Sequence, residues 1–145
     1  MGCGIHAILQ KKSDSQNWET VLVDVLQLCS SLARDLNNVL QDEATSGLPP
    51  DLKVNTSNEI SFENDTFWMG DHGHHYLTLE EFCAIDKDPP KGFQCYQDNS
   101  DDSWHIVLGS KDPWDIDNTI YDLQIAFRNM FRDLDNYRLV IGFDS

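Results

Sequence analysis

Alternation opens the chain. Ile5, Ala7 and Leu9 take turns with His6, Ile8 and Gln10, a period of two that predicts a strand over residues 4–11. Both sets carry apolar side chains, so this strand is expected inside a sheet rather than at its edge. After the polar turn Lys12-Ser13-Asp14-Ser15-Gln16 the period changes. Trp18, Val21, Leu22, Val25, Leu28, Cys29, Leu32, Leu36, Val39 and Leu40 recur at spacings of three and four. That stripe predicts one amphipathic helix over 17–41, capped by Asn17, with Cys29 as a small core residue.

Prolines break the pattern next. Gly47-Leu48-Pro49-Pro50-Asp51 removes backbone donors and forces extended geometry, so a loop is expected there. Ile60, Phe62, Phe67 and Trp68 predict strand interrupted at Glu63-Asn64-Asp65. Gly70-Asp71-His72-Gly73-His74-His75 reads as a polar loop, and Thr78-Leu79-Glu80-Glu81 as a capping box opening a short helix through about Ala84. Residues 93–97 and 104–108 read as a hairpin, with His105 an ordinary strand residue. Asp112-Pro113 offers a helix start, followed by Ile116, Ile120, Leu123, Phe127, Phe131 and Leu134 on one face. Residues 138–143 form a last apolar strand. The order predicts an α+β fold: a mixed β-sheet with two long helices and one short helix packed mainly on one face.

Composition narrows the classes. A chain of 145 residues that is 40% hydrophobic, with four Trp, holds material for one domain over 1–145 with its own core. Twenty-five acidic against ten basic side chains give a net charge of −15, a field that repels nucleic acid and anionic lipid and that either attracts a basic protein partner or simply keeps a small protein soluble. Cys3, Cys29, Cys83 and Cys95 form no C-x-x-C pair, which fits neither a zinc knuckle nor a disulfide framework. No signal-peptide pattern and no apolar run near the ~20 residues of a membrane span is present, so a reducing cytoplasm is expected. Met1-Gly2-Cys3 shares the opening of an acylation signal, but His6 stands where that signal needs Ser or Thr.

Four segments carry a resemblance: Met1-Gly2-Cys3-Gly4-Ile5-His6, Gly47-Leu48-Pro49-Pro50-Asp51, His72-Gly73-His74-His75-Tyr76-Leu77-Thr78-Leu79 and Tyr137-Arg138-Leu139-Val140-Ile141-Gly142-Phe143-Asp144. In order and approximate spacing they resemble an uncharacterised family of small bacteriophage proteins. That family opens Met-Gly-Cys-Asp-Ile-His, carries a Gly-Leu-Pro-x-Asp loop, and closes on a strand ending Phe-x-Phe-Asp. The chain departs from it at Gly4, where the family has an acid, and at Gly73 and His75, where it has serines. The acid before the family's His is also shifted, leaving Gly70 in its place and Asp71 beside His72. The resemblance implies phage origin and a host-cytoplasm setting, and it carries no activity with it.

If the terminal strands are antiparallel neighbours, Asp144 comes close to the start of the first strand. Cys3, His6, His72 and Asp144 would then share one corner, with His74, His75 and Arg138 as ligand-binding groups beside it. Two chemistries could use such a group. A Cys or His nucleophile with a nearby base would attack a phosphoryl or acyl centre. Imidazoles and a carboxylate could instead hold a divalent metal that activates water. The bland reading is a polar junction whose imidazoles satisfy backbone groups. Asp98, Asp101, Asp102 and Asp112, Asp115, Asp117 lack the Gly and terminal Glu of a calcium loop and read as turn and cap residues. Two functions follow: a site for a small phosphorylated ligand, such as a nucleotide defence signal, bound or cleaved at the corner; or an acidic, non-enzymatic decoy that covers a basic DNA-binding surface of a host protein.

Overall fold

The computed structural model describes residues 3–85, 94–97, 104–107 and 115–145. Gly4–Lys12 forms β1, burying Ile5, Ala7 and Leu9 on one face and Ile8 and Gln10 on the other. A tight turn follows, in which the Ser13 amide donates to the Asn17 carbonyl at 2.7 Å and Gln16 takes a φ of 67°. The chain returns antiparallel as β2, Trp18–Val23.

The helix expected over 17–41 is therefore two elements. Only its second half is helical, as α1, Ser30–Glu43. Thr20, Val21 and Val23 are β-branched, which favours a pleated strand, and pairing with β1 gives their backbone its partners. Asp24, at a φ of 55°, ends the strand. Leu22 is consequently 47% exposed, and Cys29, expected in the core, is exposed at the α1 N-cap.

A two-residue strand, β3 (Thr45–Ser46), precedes the hairpin of β4 (Glu59–Phe62) and β5 (Asp65–Trp68). Its turn falls at the expected interruption, with Glu63 at a φ of 56°. His72–Thr78, expected as a loop before the short helix, is strand β6. Its polar side chains concealed it, because sheet membership here comes from its neighbour rather than from alternation. Thr78 caps α2, Leu79–Cys83, through the reciprocal Thr78–Glu81 capping box. β7 (Gln94–Gln97) and β8 (Trp104–Val107) pair antiparallel. The turn acids Asp98, Asp101 and Asp102 lie outside the described residues, as do Asp112 and Pro113. Helix α3, Ile116–Met130, takes Asp115 as its N-cap, whose carboxylate accepts from the Asp117 amide. It stops short of Leu134, which lies in a separate 3-10 turn before β9, Tyr137–Asp144.

Five strands form one sheet in the order β2-β1-β9-β6-β3, every pairing antiparallel. The first and last strands are thus partners, Gly4 facing Asp144 and His6 facing Gly142. Side chains alternate across a strand, which divides the sheet into two faces. On one, Leu36 and Leu40 of α1, Phe82 of α2, and Ile120 and Phe127 of α3 pack over Ile5, Ala7, Leu9, Leu139, Ile141 and Phe143. Here the three helices share one core, and the fold is α+β. On the other face a smaller core of Ile8, Ile60, Met69 and Val140 lies beneath the β4–β5 hairpin. Among the described residues, no helix is long and apolar enough to cross a membrane.

Candidate functional site

The alternate positions of β1 and β9 that face the hairpin carry the polar chemistry. His6 Nε2 lies 2.5 Å from Asp144 Oδ2, and the Gly4 amide donates to Asp144 Oδ1 at 3.2 Å. The carboxylate leans into the space that a side chain at Gly4 would fill; a Cβ there would meet Asp144 Oδ2 at 2.5 Å. The hydrogen bond from His6 holds the Asp144 carboxyl below its ordinary range, with the Gly4 amide and the charges of His6 and His72 acting in the same direction. The two side chains are 21% and 28% exposed, so the pair sits at the sheet end within reach of solvent. A proton on Nε2 directed at the carboxylate leaves Nδ1 as the lone-pair nitrogen of the neutral ring. His6 packs against Trp68, with ring centroids 4.8 Å apart, and meets the edge of Phe67 at 6.3 Å. Trp68 itself is 40% exposed.

A β-bulge shapes the neighbouring strand. His72 pairs with Phe143 and His75 with Ile141, so Gly73 and His74 together oppose the single residue Gly142. The Met69 carbonyl occupies the space above Gly142, where a Cβ would collide with it. His74 is turned onto this crossing backbone, its Nε2 at 3.1 Å from both the Met69 and the Gly70 carbonyl oxygens. Gly73, at a φ of 62°, adopts the left-handed conformation that the bulge needs. His72 remains exposed, 3.6 Å from Asp71 and close enough to Asp144 to lower its pKa.

Of the residues expected at one corner, His6 and Asp144 come together, and His72 lies within electrostatic range of the same carboxylate. Cys3 does not join His6. It stands just ahead of β1 and is partly buried against the helical core; burial pushes its thiol pKa up, opposed by Arg34 and reinforced by the charge of Asp144. A partly buried thiol with a raised pKa, packed on the helical core, is a packing group rather than a thiolate poised beside that imidazole. His75 also lies on the helical face. It is 3% exposed, with Nε2 2.9 Å from Asn37 Oδ1 and its ring edge toward Phe143. Burial, reinforced by the charge of His74, pushes its pKa down. The run His-Gly-His-His therefore sends its imidazoles to three different places. Among the described residues, no three His, Cys, Asp or Glu groups converge as metal ligands.

Arg138 is not at the corner. It stands six positions along β9 from Asp144, about 20 Å at strand rise. Its guanidinium is buried. Nε donates to Gln10 Oε1 at 2.7 Å, and Nη1 and Nη2 donate to Asp51 Oδ1 and Oδ2 at 3.2 and 2.7 Å. Trp18 stacks 4.6 Å away on the same group. Pairing with the proline loop, 87 residues distant in sequence, occupies the fork that was expected to hold a ligand. The signal for this in the sequence was a lone Arg at the head of an otherwise apolar strand, with one Asp closing a rigid Pro-Pro loop.

Trp68 is the functional candidate that sequence reading passed over. Comparison of the chain with protein-family models, with curated proteins and with solved structures gives no match.

Proposed function

We propose that this chain is a phage-type accessory protein that binds a small phosphorylated ligand at the His6–Asp144 pair, with His6 as its acid–base group. The observation that carries the reading is the pair itself. An imidazole whose one nitrogen is held by a carboxylate, and whose carboxylate is held in turn by a backbone amide, is oriented to exchange a proton at its other nitrogen. His72 is a second exposed imidazole within electrostatic range of Asp144, and the half-exposed Trp68 offers a ring surface on which a nucleobase stacks. Cys3 has no part in this reading, because it faces the helices.

The segments that carry the resemblance contact one another in the fold. The two terminal segments that carry it meet through His6 and Asp144, and its loop and closing strand meet through Asp51 and Arg138. Phage origin and action in a host cell are part of the proposal.

The test uses the intact chain. Calorimetry and chromatography of reaction products against mono-, di- and cyclic nucleotides should reveal at least one ligand for the wild type. His6→Gln and Asp144→Asn should each lose it. A His6→Gln protein that keeps every interaction of the wild type would overturn the assignment. Retention of a basic host protein on wild type and variant alike would favour the acidic-decoy reading instead.

A further inference from the structure

β2 is an outer strand of the five-stranded sheet, and among the described residues it pairs on one side only, with β1. The opposite edge is the two-residue β3, whereas β2 has six residues, so β2 is the edge long enough to template a further strand. It holds no proline and one charged residue, Glu19, so little in it obstructs such pairing. The β-bulge at Val21 sharpens its twist and leaves its outer side unpaired. Beside this edge, on the helical face, an apolar groove of about 380 Å³ opens between β2 and α3. Leu123, Ala126, Phe127 and Met130, at spacings of three and four, form its α3 wall, with Leu9 and Leu22 on the sheet side. Val21, Leu22 and Met130 are three of the five large apolar side chains exposed among the described residues, so exposed apolar surface is gathered here rather than scattered. Asp24 is the one charged residue lining the groove among the described residues.

Charge decides between a second copy and a different protein as the occupant. Each copy carries −15, and two copies meeting edge to edge would bring Glu19 and Asp24 of both together, whereas a basic segment is attracted. We propose that this edge and groove dock an extended, basic segment of a partner protein, added to the sheet as a strand beside β2. Its backbone would pair with the outer side of β2, and alternate Val, Ile or Leu side chains would enter the groove against Leu22, Phe127 and Met130. A Lys or Arg of the segment would meet Asp24. The surface uses neither His6 nor Asp144, which face the hairpin.

A fluorescently labelled peptide of alternating Val and Lys, about eight residues long as strands commonly are, tests the inference by anisotropy against the intact chain. Saturable one-to-one binding is expected, with a Kd on the order of 10–100 μM. A peptide with the same Val and Lys residues in two blocks keeps the charge and loses the alternation, and one with Pro at alternate positions loses backbone donors; each should bind ~10-fold more weakly or worse. Leu22→Glu and Met130→Glu make the chain more acidic and the groove less apolar. Each should weaken binding ~10-fold or more, whereas attraction between opposite charges alone would strengthen it. Met130 is 65% exposed, so its variant decides the matter if Leu22→Glu disturbs β2. His6→Gln should bind the peptide as the wild type does, which separates this surface from the site proposed above. No binding of the alternating peptide, equal binding of the block peptide, or undiminished binding by Met130→Glu would each overturn the proposal. So would a wild-type dimer in sedimentation that Leu22→Glu or Met130→Glu dissociates, because it gives the edge to a second copy.

Discussion

Replacing Arg138 by Met keeps the aliphatic stem and removes the guanidinium, and the structure sets the size of the loss. Gln10 Oε1 would be left without its donor at a residue only 3% exposed, a cost of about 1–3 kcal/mol. The two bonds to Asp51 count for less. Its side chain is 50% exposed and rehydrates when released, so that pair contributes about 0–1 kcal/mol. Stacking on Trp18 adds about 0.5–1 kcal/mol, and relief from burying a charge works the other way. The net expectation is a loss of about 2–3 kcal/mol, read as a lower urea midpoint at unchanged slope. Asp51→Ala, measured beside it, leaves a buried cation uncompensated. The double variant should be less destabilised than the sum of the two singles, with a coupling of about 0.5–1 kcal/mol. Additive singles, or an Arg138→Met loss below about 0.5 kcal/mol, would refute the reasoning.

Three further outcomes follow from the same geometry. Leu36→Ala, at a side chain with no exposure, should cost about 2–5 kcal/mol, whereas Leu22→Ala, 47% exposed, should stay within about 1 kcal/mol; reversed magnitudes in urea melts would mean that the expected long helix exists after all. Gly142→Ala places a Cβ against the Met69 carbonyl and should displace the 69–70 backbone, seen as lost amide-shift dispersion around His74 or outright unfolding; a wild-type melting temperature would contradict the crossing. His75 has its folded pKa below the ordinary 6.5, so the unfolded chain takes up the proton first: stability is complete above pH 6.5 and falls as pH drops beneath it, and His75→Gln should flatten that slope in urea melts between about pH 5 and 7.

How much of this was legible depended on how local each determinant is. The alternation of β1 and the Thr78–Glu81 box are set by neighbours in sequence, and both stand where the residues put them. The closing strand declared itself through its apolar run, and its partnership with β1 brought His6 to Asp144. The segment Trp18–Val23 was misread because its apolar residues continue the spacing of α1 by coincidence, and the pairing with β1 that overrides it is a tertiary fact. The burial of Ile5 and Ala7 on the face opposite His6 was available from parity alone: neighbouring positions of one strand point opposite ways. The fate of His74 was not, because it is decided by a backbone crossing at Met69 that no side-chain pattern records.

The central position of β9 explains why so much of the chemistry gathers on one face. Its odd positions 139, 141 and 143 are Leu, Ile and Phe, a continuous apolar row that the helices cover. Its even positions, 138 to 144, are Arg, Val, Gly and Asp, and each does something different on the hairpin side. Arg138 ties down the proline loop and holds the Gln10 amide. Val140 joins the small core beneath the hairpin. Gly142 leaves room for the Met69 backbone, which turns His74 inward, and Asp144 orients His6. A row of equivalent apolar residues is satisfied by shape and volume, so swaps that conserve both are tolerated there. A row in which each position meets a different partner has no such freedom. That difference gathers the His6–Asp144 pair and the Arg138 clamp on the hairpin face, while the helical face, with Cys3 and His75 against it, is packed on the core.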